Sequence, residues 1–559
     1  MSVELIFKII IITILLIFLV WLINKDKNIC YDKKPKNIKQ KNKYIYNAII
    51  WNTQFPELDS YINYGINTPD INKVSITISG GGVRSFAAAI GYYRALNRLN
   101  LSDKIQYVST SSGGSWFYGL YAFSELQPDI LLGKSLKPED MTLENLETEN
   151  LDNKQFMGHI FVKKDILEYL IEELFKSKND IGLAWNNAIG KMILEPYGLN
   201  LEKPVSISKE HAKYIKNRNP KLNKPIIQVH KSFWICNTTL CSLEYPHIII
   251  PLTPLYCGVN QKIKNKNKNN NFIGGMLVEN YAFGNNIDNN ENIIDIVNIG
   301  TDNKIKKLSD MIGTSSTAYA SILYNTKNDN NFAKYMLPDD IDSLIPSYII
   351  NKQNVKLSDG SLADNSGIIS LVARGVKRII SFVNTTLNID DDILLYCETC
   401  ILPHFGLLSS KCSLESFARN TIQVFKSSDY NDYILPQLLK TLENGGPVFA
   451  RKSLEVLKNE INGVKGGYFC DILFIVLQPS SKFTEKLSKE IIDEITNHPL
   501  KSLKKHGKFN NFPNYEVAFQ NLDKGMLNLT LSQINLLSSY TDWCLNQPEL
   551  KSIVEEMFR

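Results

Sequence analysis

Cysteine is scarce in this chain: nine in 559 residues, an odd number. That excludes a disulfide framework and fits a reducing compartment better than secretion. An excess of one charge sign is also missing. Against 57 acidic residues stand 62 basic ones, a net charge of +5. Over this length that excludes a dedicated nucleic-acid binder, and no zinc-finger or basic-zipper spacing is present. Histidine is rare, seven in all, and none forms a recognisable pattern with the serines discussed below. No internal repeat and no Pro- or Gly-rich break divides the chain. What remains is ordinary: 44% hydrophobic and 21% charged residues, values that exclude wholesale disorder and fibrous rods.

One long apolar run stands out. Leu5 to Ile23 reads LIFKIIIITILLIFLVWLI, with Lys8 as its one charge. As a helix of about 19 residues it extends roughly 28 Å, close to the hydrocarbon thickness. Lys8 can snorkel to the interface, and Trp21 sits where an interfacial indole is favoured. Bulky Val20, Trp21, Leu22 and Ile23 followed by Asn24 and Lys25 give no small-residue cleavage site. The expectation is an uncleaved single-pass anchor over residues 1–24. Lys25, Lys27, Lys33, Lys34, Lys36, Lys39, Lys41 and Lys43 follow the span. By the positive-inside rule the body faces the cytosol. Residues 25–45 read as a Lys-rich juxtamembrane linker with an attraction to anionic headgroups.

From residue 46 to 559 the composition is globular. Asn260–Asn271 and Asn285–Asn292 read as polar surface loops. Val74–Ser79, His247–Ile250, Ile293–Ile299, Arg378–Val383 and Ile472–Leu477 read as buried strands. Ser85–Leu99, Lys164–Phe175 and Thr484–Ile495 have helical length and period. This alternation predicts an α/β layered domain with a mainly parallel central sheet.

Three turns carry candidate chemistry. Val74–Ser79 runs into Gly80, Gly81, Gly82, Val83 and Arg84 and then a helix-like stretch. Strand, triple glycine and helix present backbone N–H groups to an anion, a phosphate or a transition-state oxyanion alike. Arg84 adds a planar cation suited to phosphate. Ile105–Ser109 leads to Thr110, Ser111, Ser112, Gly113, Gly114, Ser115 and Trp116. A serine at a strand-to-helix turn among small residues has the design of a nucleophile elbow. Val355–Asn365 contains the turn Asp359-Gly360-Ser361, whose carboxylate is suited to orienting and deprotonating a serine. Standing alone, each turn is as well explained by structure: a tight turn, a helix cap, a β-turn.

In this order the three pieces resemble the cytosolic phospholipase A2 catalytic domain and, more distantly, patatin lipases. That family pairs S-G-G-G-x-R with G-x-S-G-S/G-T/S-W and a later D-G/S-G. Ser79–Arg84 matches the first in full, Thr110–Trp116 most of the second, and Asp359–Ser361 part of the third. Leu252–Gly258, Gly274–Met276, Phe283-Gly284 and Arg374–Phe382 resemble further family segments in part. The resemblance implies a patatin/phospholipase A2-like fold with helices on both faces of the sheet. It implies Ser112 as nucleophile, Asp359 as its base, Gly81 and Gly82 as oxyanion hole and Arg84 as ligand of the lipid phosphate. It implies a serine acyl hydrolase of (lyso)phospholipid esters that works without histidine, cofactor or metal. Its partners would be the phospholipid membrane and the lipid substrate, with no nucleic acid and no protein partner evident.

Three departures stand against the pattern. Thr110 replaces the elbow's first glycine, and a β-branched residue there is expected to distort a strained turn. Ser361 replaces the final glycine of the third motif, and Ser366 follows Asn365 where the family has proline. Two readings stay open: an active lipid acyl hydrolase, or a catalytically inactive lipid-binding scaffold of the same fold. Gly313–Ala318 imitates a second serine elbow but lacks a preceding apolar strand, and reads as structural. Cys397 and Cys400 form a lone C-x-x-C, which reads as two core thiols.

Overall fold

The computed structural model describes residues 46–52, 55–59, 64–163, 166–176, 181–242, 244–266, 271–285, 287–288, 296–299, 305–318, 347–350, 353–384, 401–407, 422–495, 507–515 and 529–559. The apolar, β-branched run Val74–Ile78 forms β1, buried at every position. It lies parallel to β2 (Tyr107–Ser111), and β2 lies parallel to β3 (Phe233–Cys241). β4 (Gln353–Asp359) pairs antiparallel with the far half of β3, with Asp359 opposite Thr238. β5 (Arg378–Val383) flanks β1 on its other side in parallel. β6 (Val448–Val456) closes that edge antiparallel to β7 (Tyr468–Val476), which runs parallel to β5.

Beyond β3 the sheet continues antiparallel through Ile249–Leu252, Tyr256–Lys264, Phe272–Glu279, Tyr46–Trp51 and Ile296–Ile299 to Ile287–Asp288. Ser347–Ile350 pairs antiparallel with β4. The expectation of a mainly parallel sheet is therefore corrected. This is a mixed sheet in which parallel pairing is confined to the centre. The physical reason lies in the strands that were missed. An antiparallel strand tolerates water on one face, so it carries polar residues. Tyr256–Lys264 is buried over its first three positions and half-exposed over the next three, and its Asn260–Lys264 portion lies in a strand instead of a loop.

Side chains on successive strand positions point to opposite faces. Val108, Trp234, Ile380 and Leu473 enter one core, and Tyr107, Ile235, Ile379 and Ile472 the other. The first core is covered by α1 (Gly82–Arg98) and α2 (Gly113–Phe123), which leave the C-terminal ends of β1 and β2. α3 (Leu308–Thr314) packs nearby. α4 (Leu531–Leu545) crosses α1 closely at Gly91, where a Cβ would stand 2.0 Å from the Ser538 carbonyl oxygen. Thr541 Oγ1 donates to the Ala88 carbonyl across the same contact, at 2.8 Å. The other expected helices occur as Ile166–Lys176 and Lys489–Ile495.

The expected membrane anchor is also corrected. Among the described residues no helix is long and apolar enough to cross a membrane. A single-pass location with a cytosol-facing body is not supported. Leu5–Ile23, the linker over residues 25–45 and the Cys397/Cys400 pair lie outside the described residues.

Candidate active site

The parallel centre of the sheet brings the three turns to one edge. β1 ends in the glycine turn and β2 ends at Ser112. β4, paired to the far half of β3, ends at Asp359. Residues 247 positions apart in sequence thus meet: Ser112 Oγ donates to Asp359 Oδ2 at 3.0 Å.

Ser112 occupies φ 50°, ψ −121°. A serine at positive φ is sterically strained, at about 1–3 kcal/mol, and persists only where its surroundings hold it. Here the hold is visible. The Ser112 amide donates to the Ser315 carbonyl at 3.1 Å and to Ser315 Oγ at 3.0 Å. Its carbonyl accepts from the amides of Ser115 and Trp116 as α2 begins. Gly113 is required by proximity: a Cβ there would stand 2.0 Å from the Gly82 carbonyl oxygen. The elbow and the glycine turn are therefore in direct contact.

Thr110 does not distort the elbow. It lies in β2, where a β-branched residue is favoured, two positions before the strained Ser112. Its Oγ1 accepts from Trp234 Nε1 at 2.9 Å and is shared with Ser115 Oγ at 2.8 Å. The hydroxyl a glycine would lack holds α2 and β3 together.

Asp359 is fully buried. Burial disfavours its charge and pushes the carboxyl up to about 6, against hydrogen bonds from Ser361, Ser112 and the Ala318 amide. Its Oδ1 accepts from Ser361 N at 2.8 Å and from Ser361 Oγ at 2.6 Å.

The glycine turn adopts φ 137° at Gly81 and 55° at Gly82, the first a conformation that side chains exclude. Gly80 N donates to the backbone oxygen of Asn365 at 3.1 Å and to its Oδ1 at 2.8 Å. The Asp359–Asn365 segment therefore pins the turn. Gly81 and Gly82 open α1, so their amides belong to the helix end that has no intrahelical acceptor. Arg84 is buried, 5% exposed. Its guanidinium donates to the Asn384 carbonyl at 3.1 and 3.2 Å and to the Tyr515 carbonyl at 2.6 Å. In this arrangement Arg84 anchors the turn. Contact with a lipid phosphate requires those bonds to be exchanged.

Two features lay beyond the sequence reading. Ser315, inside the apparent decoy, links the elbow to the Asp359 turn, because its carbonyl also accepts from Gly360 N at 3.2 Å. Asp364 is buried beside His404, with Nε2 3.2 Å from Oδ1. Burial raises its carboxyl, but His404 and hydrogen bonds from Ser366 and the Ile369 amide hold it below the usual range. No short motif marks either contact. Among the described residues no cluster of His, Cys, Asp and Glu is built to hold a metal.

No protein-family model matches the chain. A candidate meiotic phospholipase of Saccharomyces cerevisiae is 29% identical over 167 residues, 26% of this chain and 26% of that protein. Human GIVD cytosolic phospholipase A2 has a TM-score of 0.43 at 12% identity, covering 87% of this chain and 62% of that one. The same human protein with methyl gamma-linolenyl fluorophosphonate and terbium chloride has a TM-score of 0.35 at 12% identity, covering 87% and 60%. This chain thus spans about a quarter of the yeast relative and under two thirds of the human chains. In its motifs the chain resembles the cytosolic phospholipase A2 catalytic domain and, more distantly, patatin lipases; the yeast relative is itself named a phospholipase.

Proposed function

We propose that this protein is a serine lipid acyl hydrolase that cleaves fatty-acyl esters of phospholipids or lysophospholipids through Ser112 and Asp359. The observation that carries the reading is the strained Ser112, with Oγ 3.0 Å from Asp359 Oδ2 and the elbow packed against the glycine turn. Ser112 Oγ attacks the ester carbonyl carbon as its proton passes to Asp359. The Gly81 and Gly82 amides receive the negative charge that develops on the carbonyl oxygen. Asp359 then protonates the departing lipid alkoxide, leaving an acyl ester on Ser112. Water, deprotonated by the same carboxylate, cleaves that ester and releases the fatty acid. A base near 6 is mostly ionised at neutral pH yet strong enough to take a proton in the transition state. Arg84 is assigned to the phosphate side of the site, through the turn it anchors.

The test is release of free fatty acid from mixed phospholipid liposomes by the full chain, beside Ser112→Ala and Asp359→Ala. Release by the parent and by neither variant is expected. Activity that survives Ser112→Ala refutes the nucleophile. No release by a folded parent on diacyl and lyso lipids favours the inactive scaffold.

A further inference from the structure

We propose that Ser361 is a positioning residue for the base: its hydroxyl holds Asp359 Oδ1 and so keeps Oδ2 turned toward Ser112. This rests on the reading of Asp359 as the base of Ser112. The terminal torsion of an aspartate is soft and broad, so a carboxylate acting through one oxygen needs its other oxygen fixed. The two oxygens are divided in this way. Oδ2 receives Ser112 Oγ at 3.0 Å, while Oδ1 receives the Ser361 amide at 2.8 Å and the Ser361 hydroxyl at 2.6 Å. Any residue but proline at 361 supplies the amide. Only serine or threonine supplies the hydroxyl from that place.

The backbone does not ask for glycine here. Gly360 is right-handed at φ −60°, ψ −27°, Ser361 opens the short helix Ser361–Asp364, and no positive φ occurs at 361. The departure from the D-G/S-G pattern thus carries no strain and adds a donor. That donor is the largest of the interactions opposing burial at Asp359. Among the described residues, the other groups that bond the carboxyl are the Ser112 hydroxyl from the elbow and the Ala318 amide beyond α3. From β3, Cys236 senses the Asp359 charge, and burial pushes its thiol up to about 12, so it stays neutral across the working range.

The experiment measures the second-order rate at which a fluorophosphonate probe inactivates the full chain between about pH 5 and pH 9. Parent, Ser361→Gly, Ser361→Ala and Ser361→Thr are compared, with the modified residue located by peptide mass spectrometry. Loss of a charge-assisted donor moves the acid limb up by about one unit in Ser361→Gly and Ser361→Ala. Near pH 5 these variants react roughly tenfold more slowly, and near pH 6 about fivefold, while at high pH they stay within about threefold of the parent. Ser361→Thr restores the hydroxyl and keeps the parental midpoint. A merely structural hydroxyl would lower the rate equally at every pH, and that result overturns the proposal. So does an unmoved limb in Ser361→Gly, or a Ser361→Thr limb displaced as far as that of Ser361→Ala. Labelling of the parent at a residue other than Ser112 refutes the dyad itself, and with it this proposal.

Discussion

Replacing Asp359 by asparagine should slow hydrolysis by orders of magnitude and stabilise the fold. In the unfolded chain the carboxyl titrates near 3.8, and in the fold burial raises it to about 6. A raised pKa means that this group favours folding only while protonated. Its contribution is complete below 3.8, falls as pH rises, and is lost above 6. Two units correspond to about 3 kcal/mol against the ionised fold at high pH. Asparagine is neutral and nearly the same shape. Its Oδ1 can accept from Ser361, and its Nδ2 can donate to Ser112 Oγ. The Ala318 amide is left with a poorer acceptor, at about 1 kcal/mol. Asp359→Asn is therefore expected to be about 2 kcal/mol more stable than the parent near pH 8. As pH falls to about 5 the parent takes up its proton, and the gap should narrow by about 1.4 kcal/mol. Urea unfolding of both proteins at the two pH values, with the slopes checked for equality, measures this directly. The same variant should lose about 10²–10⁴-fold in hydrolysis. A variant less stable than the parent at pH 8, with a gap that does not change with pH, would refute a buried, ionised Asp359.

Arg84→Met removes the donors of two buried carbonyls, Asn384 and Tyr515. It should cost about 2–4 kcal/mol in urea unfolding, beyond any effect on lipid hydrolysis. Thr110→Val keeps the shape but leaves Trp234 Nε1 without its acceptor, for a loss of about 1–3 kcal/mol, whereas Thr110→Ser should lie close to the parent. Gly113→Ala places a methyl group 2.0 Å from the Gly82 oxygen. It should separate the elbow from the glycine turn and abolish fluorophosphonate labelling of Ser112. Labelling at the parental rate would show that the two turns do not act together.

The strands and turns that carry chemistry were legible because their residues are local in kind. VSITI reads as a buried strand and GGG as a turn, and both occur where the sequence places them. The resemblance put Ser112 and Asp359 into one site, and the fold sets them 3.0 Å apart. The antiparallel half of the sheet was legible only in part: His247–Ile250 and Ile293–Ile299 read as strands and overlap Ile249–Leu252 and Ile296–Ile299, whereas Tyr256–Lys264 and Phe272–Glu279 did not. Tyr256–Lys264 mixes Asn and Lys with apolar residues and Phe272–Glu279 is interrupted by Gly274-Gly275, and pairing partners are chosen by the neighbouring strand. The worry attached to Thr110 was misplaced for a similar reason. Only register shows that residue 110 is still strand and that strain begins at Ser112.

By itself, then, the sequence determined which side chains are chemically suited to a hydrolytic site and where the Gly80–Gly82 turn lies, because both are properties of single residues and their nearest neighbours; that positions 110 and 361 need no glycine came only from the backbone. It could not determine what each of those groups touches. That Arg84 is taken up by two carbonyls, that Ser315 joins the serine turn to the aspartate turn, and that Ser361 occupies one oxygen of Asp359 are contacts across 2 to more than 400 positions of chain. Even the shortest of them depends on how β4 ends against β3. Tertiary structure decided these, since burial and hydrogen-bond partners exist only once distant segments share the same space.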